Sequence, residues 1–159
     1  MPQLYIIRHG RADNEIPDMD RKLTARGKDD VLNVATLLKN KNILIDSVIY
    51  SPASRAKQTA MIICDVLNTS PQNQKADDRI YNANVSELLR VLDEIDEQEK
   101  SVMLVGHNPG LANLVLQLTE QVIKLSAGNL AIVSADSWRA MCNGKCEFVE
   151  KLQANETTF

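Results

Sequence analysis

The chain holds two histidines, His9 and His107, and each directly follows a short apolar run. Leu4-Tyr5-Ile6-Ile7 leads into Arg8-His9-Gly10, and Val102-Met103-Leu104-Val105 leads through Gly106 into His107-Asn108-Pro109. A third polar group, Ser51-Pro52-Ala53-Ser54-Arg55, follows the apolar stretch Ser47–Tyr50. A neutral imidazole can attack phosphorus and carry the group as phosphohistidine. Guanidinium groups grip phosphoryl oxygens with paired N–H donors. The residue types therefore point to phosphoryl transfer. His9 is read as the nucleophile and Arg8 and Arg55 as the clamp on the oxygens. His107 would donate a hydrogen bond to a nonbridging oxygen, best when protonated. Gly10 would let the backbone come close to the phosphate. Water would then hydrolyse the phospho-His9 intermediate. This chemistry needs an in-line nucleophile and positive groups around the transferred phosphorus. It calls for no cofactor or metal, and the sequence has no acidic cluster spaced to hold one.

These residues act together only if the fold gathers them, so the elements between them matter. Leu4–Arg8, Ser47–Tyr50 and Ser101–Gly106 read as buried strands, being short, apolar and rich in β-branched residues. Thr24 is placed to cap a helix running to about Asn40, with Val31, Val34, Ala35 and Leu38 on one face. Ser51-Pro52 reads as a helix cap followed by proline at the first helical position, and Asn108-Pro109 repeats the signal. The helix after Ser51 would run to Leu67 with Ala56, Thr59, Ala60 and Ile63 inward. Leu88, Val91, Leu92 and Ile95 mark a further helix, and Leu111, Leu114, Val115 and Leu118 another. The acidic tail Asp93, Glu94, Asp96, Glu97 and Glu99 reads as a solvated face without function. Lys75–Tyr81 has room for a short strand. Leu130–Ser134 and Cys146–Lys151 are late strands, linked through Arg139–Lys145 as part of an antiparallel hairpin. Strand–helix alternation with apolar strands predicts a three-layer α/β/α fold, with a mostly parallel central sheet made mixed by the hairpin. In such sheets sites form beyond the carboxyl ends of the strands. Arg8, His9, Ser51–Arg55, His107 and Asn108 all leave strands at that one edge. Arg55 falls in the first turn of its helix, where the macrodipole disfavours a cation unless an anion sits in front of it.

The bulk properties set the frame. The 159 residues predict a single domain. A hydrophobic fraction of 44% and a charged fraction of 25% are those of an ordinary globular chain. A net charge of -3 gives no reason to expect nucleic acid or an anionic membrane as partner. The absence of a signal-like start or a membrane-length apolar run leads to the expectation of a cytoplasmic protein, and a monomer. Cys64, Cys142 and Cys146 are too few for a disulfide scaffold and are expected to be reduced, although Cys142 and Cys146 flank a turn-like Asn143-Gly144-Lys145 and could face each other.

The motifs Arg8-His9-Gly10, Ser51 through Thr59, and Gly106-His107-Asn108-Pro109, in that order, resemble those of the histidine phosphatase superfamily, also called phosphoglycerate-mutase-like. The segment Asp20 through Gly27 is similar to one in the small bacterial phosphohistidine phosphatases of that superfamily, the SixA type. The resemblance implies His9 as nucleophile, with Arg8, Arg55 and His107 completing the phosphate pocket and Arg21 near the substrate entrance. It implies binding contributions from Gly10 and Asn108 and a phosphorylated protein as substrate, for instance a histidine-containing phosphotransfer domain. Many members also carry an acidic proton donor in the central region. Here Asp77, Asp78 and Glu87 stand in that stretch without a matching motif, and Glu87 reads as a helix N-terminal charge. A missing acid favours the P–N bond of phosphohistidine, whose imidazole can leave already protonated, over an alkoxide. A small-molecule phosphomonoesterase and a non-catalytic phosphoprotein-binding module are the alternatives.

Overall fold

The computed structural model describes residues 1–154. Six strands, β1 (Gln3–Arg8), β2 (Ser47–Tyr50), β3 (Gln74–Ala76), β4 (Ser101–Gly106), β5 (Leu130–Ser134) and β6 (Glu147–Leu152), form one sheet in the order β3-β2-β4-β1-β5-β6. The first four are mutually parallel, β5 pairs antiparallel with β1, and β6 pairs antiparallel with β5. Five α-helices, α1 (Ala25–Asn40), α2 (Ser54–Leu67), α3 (Val85–Asp93), α4 (Gly110–Thr119) and α5 (Trp138–Cys142), cover both faces. The mixed three-layer architecture is the one expected.

Side chains alternate across the sheet with a period of two. Leu4, Ile6, Val102 and Leu104 pack in a core with α3, α4 and α5. Tyr5, Ile7, Met103 and Val105 pack on the other side with α1 and α2. The same alternation, carried past the strand ends, sends Arg8 toward α4 and both His9 and His107 toward α2. Strands β1 and β4 are direct parallel neighbours with Arg8 opposite Gly106, and the His9 amide extends the ladder by donating to the Gly106 carbonyl at 3.0 Å. The two histidines therefore become lateral neighbours because of the pairing register.

Several local expectations shift. Ser51 does not cap α2: the helix begins at Ser54, Ala53 stands at the cap position, and no side chain caps it. At α4 Pro109 is the cap residue, preceded by a cis peptide bond; Asn108 caps from one position earlier, its Oδ1 accepting from the Ala112 amide at 3.2 Å. The short strand expected within Lys75–Tyr81 is Gln74–Ala76, at the edge of the sheet, and gives way to a 3-10 turn at Asp78–Ile80. Asn143-Gly144 is not a hairpin turn. It closes α5, which lies between the two antiparallel strands, with Gly144 in the left-handed region at φ 74°. Cys142 and Cys146 thus flank a helix end and remain free thiols, as does buried Cys64. The acidic tail is also more than a solvated face. Glu94 pairs with Arg79, Glu99 with the Ser47 hydroxyl, and the Glu97 carboxylate accepts from the Trp138 and Arg139 amides to hold the start of α5.

The approach to the site depends on the segment after Gly10. Leu23 bridges back to Ala12, and the Thr24 hydroxyl caps α1 by accepting from the Gly27 amide at 2.9 Å. The Thr24 amide donates to the Arg11 carbonyl at 2.9 Å. A Cβ on Gly27 would lie 2.2 Å from that same carbonyl oxygen. Backbone cannot yield there as a flexible side chain would. Gly27→Ala is expected to destabilise the fold by about 1–3 kcal/mol, seen as a lower urea midpoint with unchanged slope. An unchanged midpoint would show that α1 can shift freely past Arg11.

Candidate active site

His9 leaves β1 almost buried, with 8% of its surface exposed. Its Nδ1 lies 2.7 Å from the Gly10 carbonyl oxygen. A carbonyl only accepts, so Nδ1 carries the proton. On the other side Arg55 Nε donates to His9 Nε2 at 3.4 Å. A guanidinium only donates, so Nε2 presents its lone pair. Two separate partners impose the same tautomer and leave Nε2 as the reactive atom.

Arg55 is held by the first turn of α2 and is 5% exposed. That turn is tied to β1 through Thr59, whose hydroxyl accepts from the Gly10 amide at 3.1 Å and donates to the Arg55 carbonyl at 2.8 Å. Gln58 reaches the entry segment, its Oε1 accepting from the Leu23 amide at 2.8 Å. Arg8, on the opposite side of the strand, donates through Nη1 to the Leu125 carbonyl at 3.2 Å, and its Nε is buried without a partner among the described residues. His107 stands 5.1 Å from His9 between ring centres. Its Nε2 shares a 2.7 Å hydrogen bond with the Ser51 hydroxyl, and its Nδ1 is likewise buried without a partner. Buried nitrogens without partners are costly. Here two of them, on Arg8 and His107, accompany the uncapped N-terminus of α2 beside His9, a set of donors suited to an oxyanion.

The loop between β1 and α1 supplies what the sequence did not flag. Arg55 Nη1 donates to the Asp18 carbonyl at 2.8 Å and Nη2 to Asp18 Oδ2 at 3.0 Å. The Tyr81 hydroxyl donates to the same oxygen at 2.5 Å, and the Tyr81 ring meets His107 edge-on at 5.6 Å. Arg21 donates through Nη1 to Asp18 Oδ1 at 3.2 Å and through Nε to the Asp13 carbonyl at 2.7 Å. Asp18 is one of several acids in a polar loop, and Tyr81 follows a weak strand signal. Neither position is marked by periodicity or motif.

Gly10 and Asn108 do different work from the phosphate contact expected of them. The Gly10 amide is taken by Thr59, and a Cβ there would lie 2.9 Å from Val31 Cγ2 and 3.0 Å from the Gly27 carbonyl oxygen. The glycine lets β1 pack against α1. Asn108 spends its amide on scaffolding, with Nδ2 donating to the Leu125 carbonyl at 2.7 Å and Oδ1 accepting from Ala112. The acids of the central stretch are also engaged or remote. Asp77 is bound by Arg79, Glu87 forms a capping box with Asn84 as its N-terminal position predicted, and Asp78 is exposed.

Burial and surrounding cations fix the protonation states. Burial, opposed in part by the bond to Gly10 and reinforced by Arg55, Arg8 and Arg21, pushes His9 down to about 4. Burial, followed by His9 and Arg55, pushes His107 down to about 3. With no anion in the pocket both rings are therefore neutral near pH 7. Protonation of these buried groups favours the unfolded chain, whose histidines titrate near 6.5. Stability should thus fall as pH drops from about 6.5 toward 4. With only two histidines the ring 15N shifts are assignable directly. His9 should remain the Nδ1–H tautomer, and neither ring should titrate, from pH 8 to about 5; a titration near 6.5 in either ring would contradict this assignment.

The description "histidine phosphatase superfamily (branch 1)" matches residues 4–103, which include Arg8, His9 and Arg55. The phosphohistidine phosphatase SixA of Escherichia coli (strain K12) is 30% identical over 118 residues, 73% of this chain and 73% of that protein. A solved structure of the protein histidine phosphatase SixA complexed with tungstate aligns with a TM-score of 0.83 at 27% identity, over 95% of this chain and 96% of that one. A phosphoserine phosphatase mutant from Entamoeba histolytica in complex with phosphoserine aligns with a TM-score of 0.70, over 95% of this chain and 96% of that one. At 15% identity that last likeness concerns the fold alone. With this agreement of motifs, geometry and relatives, the chain belongs to the histidine phosphatase superfamily, branch 1.

Proposed function

We propose that the protein is a phosphohistidine phosphatase, with residues 1–159 acting as one histidine-phosphatase domain and His9 as its nucleophile. The observation that carries the reading is the enforced tautomer of His9, with Nε2 unprotonated beside the guanidinium of Arg55 and the unpartnered donors of Arg8 and His107. In the first step the Arg55 N–H that rests on Nε2 turns to a phosphoryl oxygen, and the freed Nε2 lone pair forms a bond to phosphorus while the P–N bond of the substrate breaks, its electrons returning to the substrate imidazole. Arg8 and Arg55 bind the equatorial oxygens as charge spreads onto them. The Ser51 hydroxyl accepts from the Ala53 amide at 3.3 Å and, in this reading, donates its own proton to His107 Nε2 at 2.7 Å. His107 then carries its proton on Nδ1 and donates to the phosphoryl group while neutral. In the second step a water oxygen bonds to phosphorus while the P–Nε2 bond breaks, its electrons returning to His9 Nε2, and the proton of the water leaves with the phosphate.

The substrate class rests on two supports. One is the likeness to the E. coli phosphohistidine phosphatase. The other is that Asp77 and Glu87 are committed elsewhere and Asp18 stays ionised, so none of these three stands ready to protonate an alkoxide. A phosphorylated protein, such as a histidine-containing phosphotransfer domain, is the proposed partner of a monomeric enzyme. Among the described residues no helix is long and apolar enough to cross a membrane. Three free thiols are in keeping with a cytoplasmic setting.

Phosphate release should be measured from a histidine-phosphorylated protein and from phosphomonoesters. The phosphohistidine substrate should be turned over with the higher kcat/KM, and His9→Ala should lower kcat by at least ~10⁴-fold. Release from monoesters alone would favour the phosphomonoesterase alternative. Native turnover by His9→Ala would remove His9 from the mechanism.

A further inference from the structure

The mouth of the pocket carries a feature that phosphate binding alone does not use. His9 lies on the floor, and in-line displacement places the leaving atom opposite the nucleophile, toward solvent. Asp18, whose side chain is 46% exposed, stands beyond the Arg55 guanidinium from His9. Its carboxylate is attached to the same guanidinium that touches His9 Nε2. Oδ2 accepts from Arg55 and Tyr81. Oδ1 accepts from Arg21 alone. A carboxylate offers about four lone-pair sites, so Oδ1 retains acceptor capacity. Three donors also keep the group ionised: Tyr81 first, then Arg55 and Arg21, hold its carboxyl well below the usual range. Asp18 can accept a proton contact there but cannot give a proton away.

We propose that Asp18 is a specificity-determining residue that accepts a hydrogen bond from the leaving imidazole of phosphohistidine and repels leaving groups that depart as anions. The inference rests on the phosphohistidine reading above. In phosphohistidine one ring nitrogen holds phosphorus and the other can hold a proton. When that proton is present, the P–N electron pair returns to the first nitrogen and a neutral imidazole departs, with the proton still on the second. A carboxylate on Oδ1 stabilises that N–H before and during cleavage. A phenolate or alkoxide has no such N–H. It takes the P–O pair as negative charge and develops it beside an anion. The same side chain therefore favours one leaving group and disfavours the other, and the loop from Asp13 to Lys22 becomes a selecting element as well as a wall.

The test compares kcat/KM of the wild type and Asp18→Asn on a histidine-phosphorylated peptide and on p-nitrophenyl phosphate. Losing a hydrogen bond to a charged acceptor should lower the phosphohistidine value ~10–100-fold. The p-nitrophenyl phosphate value should rise ~2–5-fold as repulsion is relieved. Asp18→Glu, which keeps the charge, should restore part of the preference for the peptide. Tungstate affinity of Asp18→Asn, measured in parallel, should be equal or tighter, because the arginines lose an internal competitor. An equal fall on both substrates with weakened tungstate binding would make Asp18 a mere anchor for Arg55 and overturn the proposal. So would equal values on both substrates for variant and wild type. A wild type that cleaves p-nitrophenyl phosphate but not the phosphohistidine peptide would overturn the functional reading itself, and this inference with it.

Discussion

The catalytic potential of this molecule hangs on the two hydrogen bonds of one imidazole. The Gly10 carbonyl claims the proton on Nδ1 of His9, and Arg55 points a donor at Nε2. Without the first, the ring could rotate or exchange tautomers, and the lone pair would be aimed at no fixed place. Without the second, the nucleophile and the cation that must bind its phosphoryl group would not share a position. Much of the surrounding structure maintains these two contacts. Thr59 fastens the first turn of α2 to the Gly10 amide, Gln58 holds the entry segment, and the absent Cβ of Gly10 and Gly27 lets α1 close against β1.

The site is electrostatically expensive before a ligand arrives. Two arginines and two histidines crowd one sheet edge, and burial with mutual repulsion keeps both rings neutral. Neutrality suits the chemistry, because a protonated His9 has no lone pair to offer. An oxyanion would reverse the local field, satisfy the buried nitrogens of Arg8 and His107, and bring Arg55 into competition between the ligand and Asp18. Binding and protonation are thereby coupled through the same few atoms.

The sheet edge was readable from the sequence because it follows from topology. Apolar runs ending in polar residues, separated by helical periodicity, place Arg8, Arg55, His9 and His107 together whatever the loops do. The parity of β1 and β4 even assigns each side chain to its face. What was not readable came from loops and from backbone detail. Ser51 looks like a helix cap, but α2 starts at Ser54 and the hydroxyl is spent on His107. Gly10 and Asn108 carry motif weight, yet one serves packing and the other scaffolding, since the sequence does not show which neighbour a Cβ or an amide will meet. Asp18 and Tyr81 lie 63 residues apart and meet only because a loop and a 3-10 turn converge over Arg55. Asn143-Gly144 carries the same turn residues whether it closes a hairpin or a helix, and only the burial of Trp138 and Met141 decides for the helix.

The central claim is that Nε2 of His9 receives the phosphoryl group. Rapid quenching under alkaline, acid-free conditions during turnover, followed by 31P and 15N spectroscopy of the trapped enzyme, tests it directly. The account predicts a single phosphohistidine with phosphorus on Nε2 of His9, lost in His9→Ala. Phosphorus on Nδ1, on His107, or on no enzyme residue at all during productive turnover would contradict it.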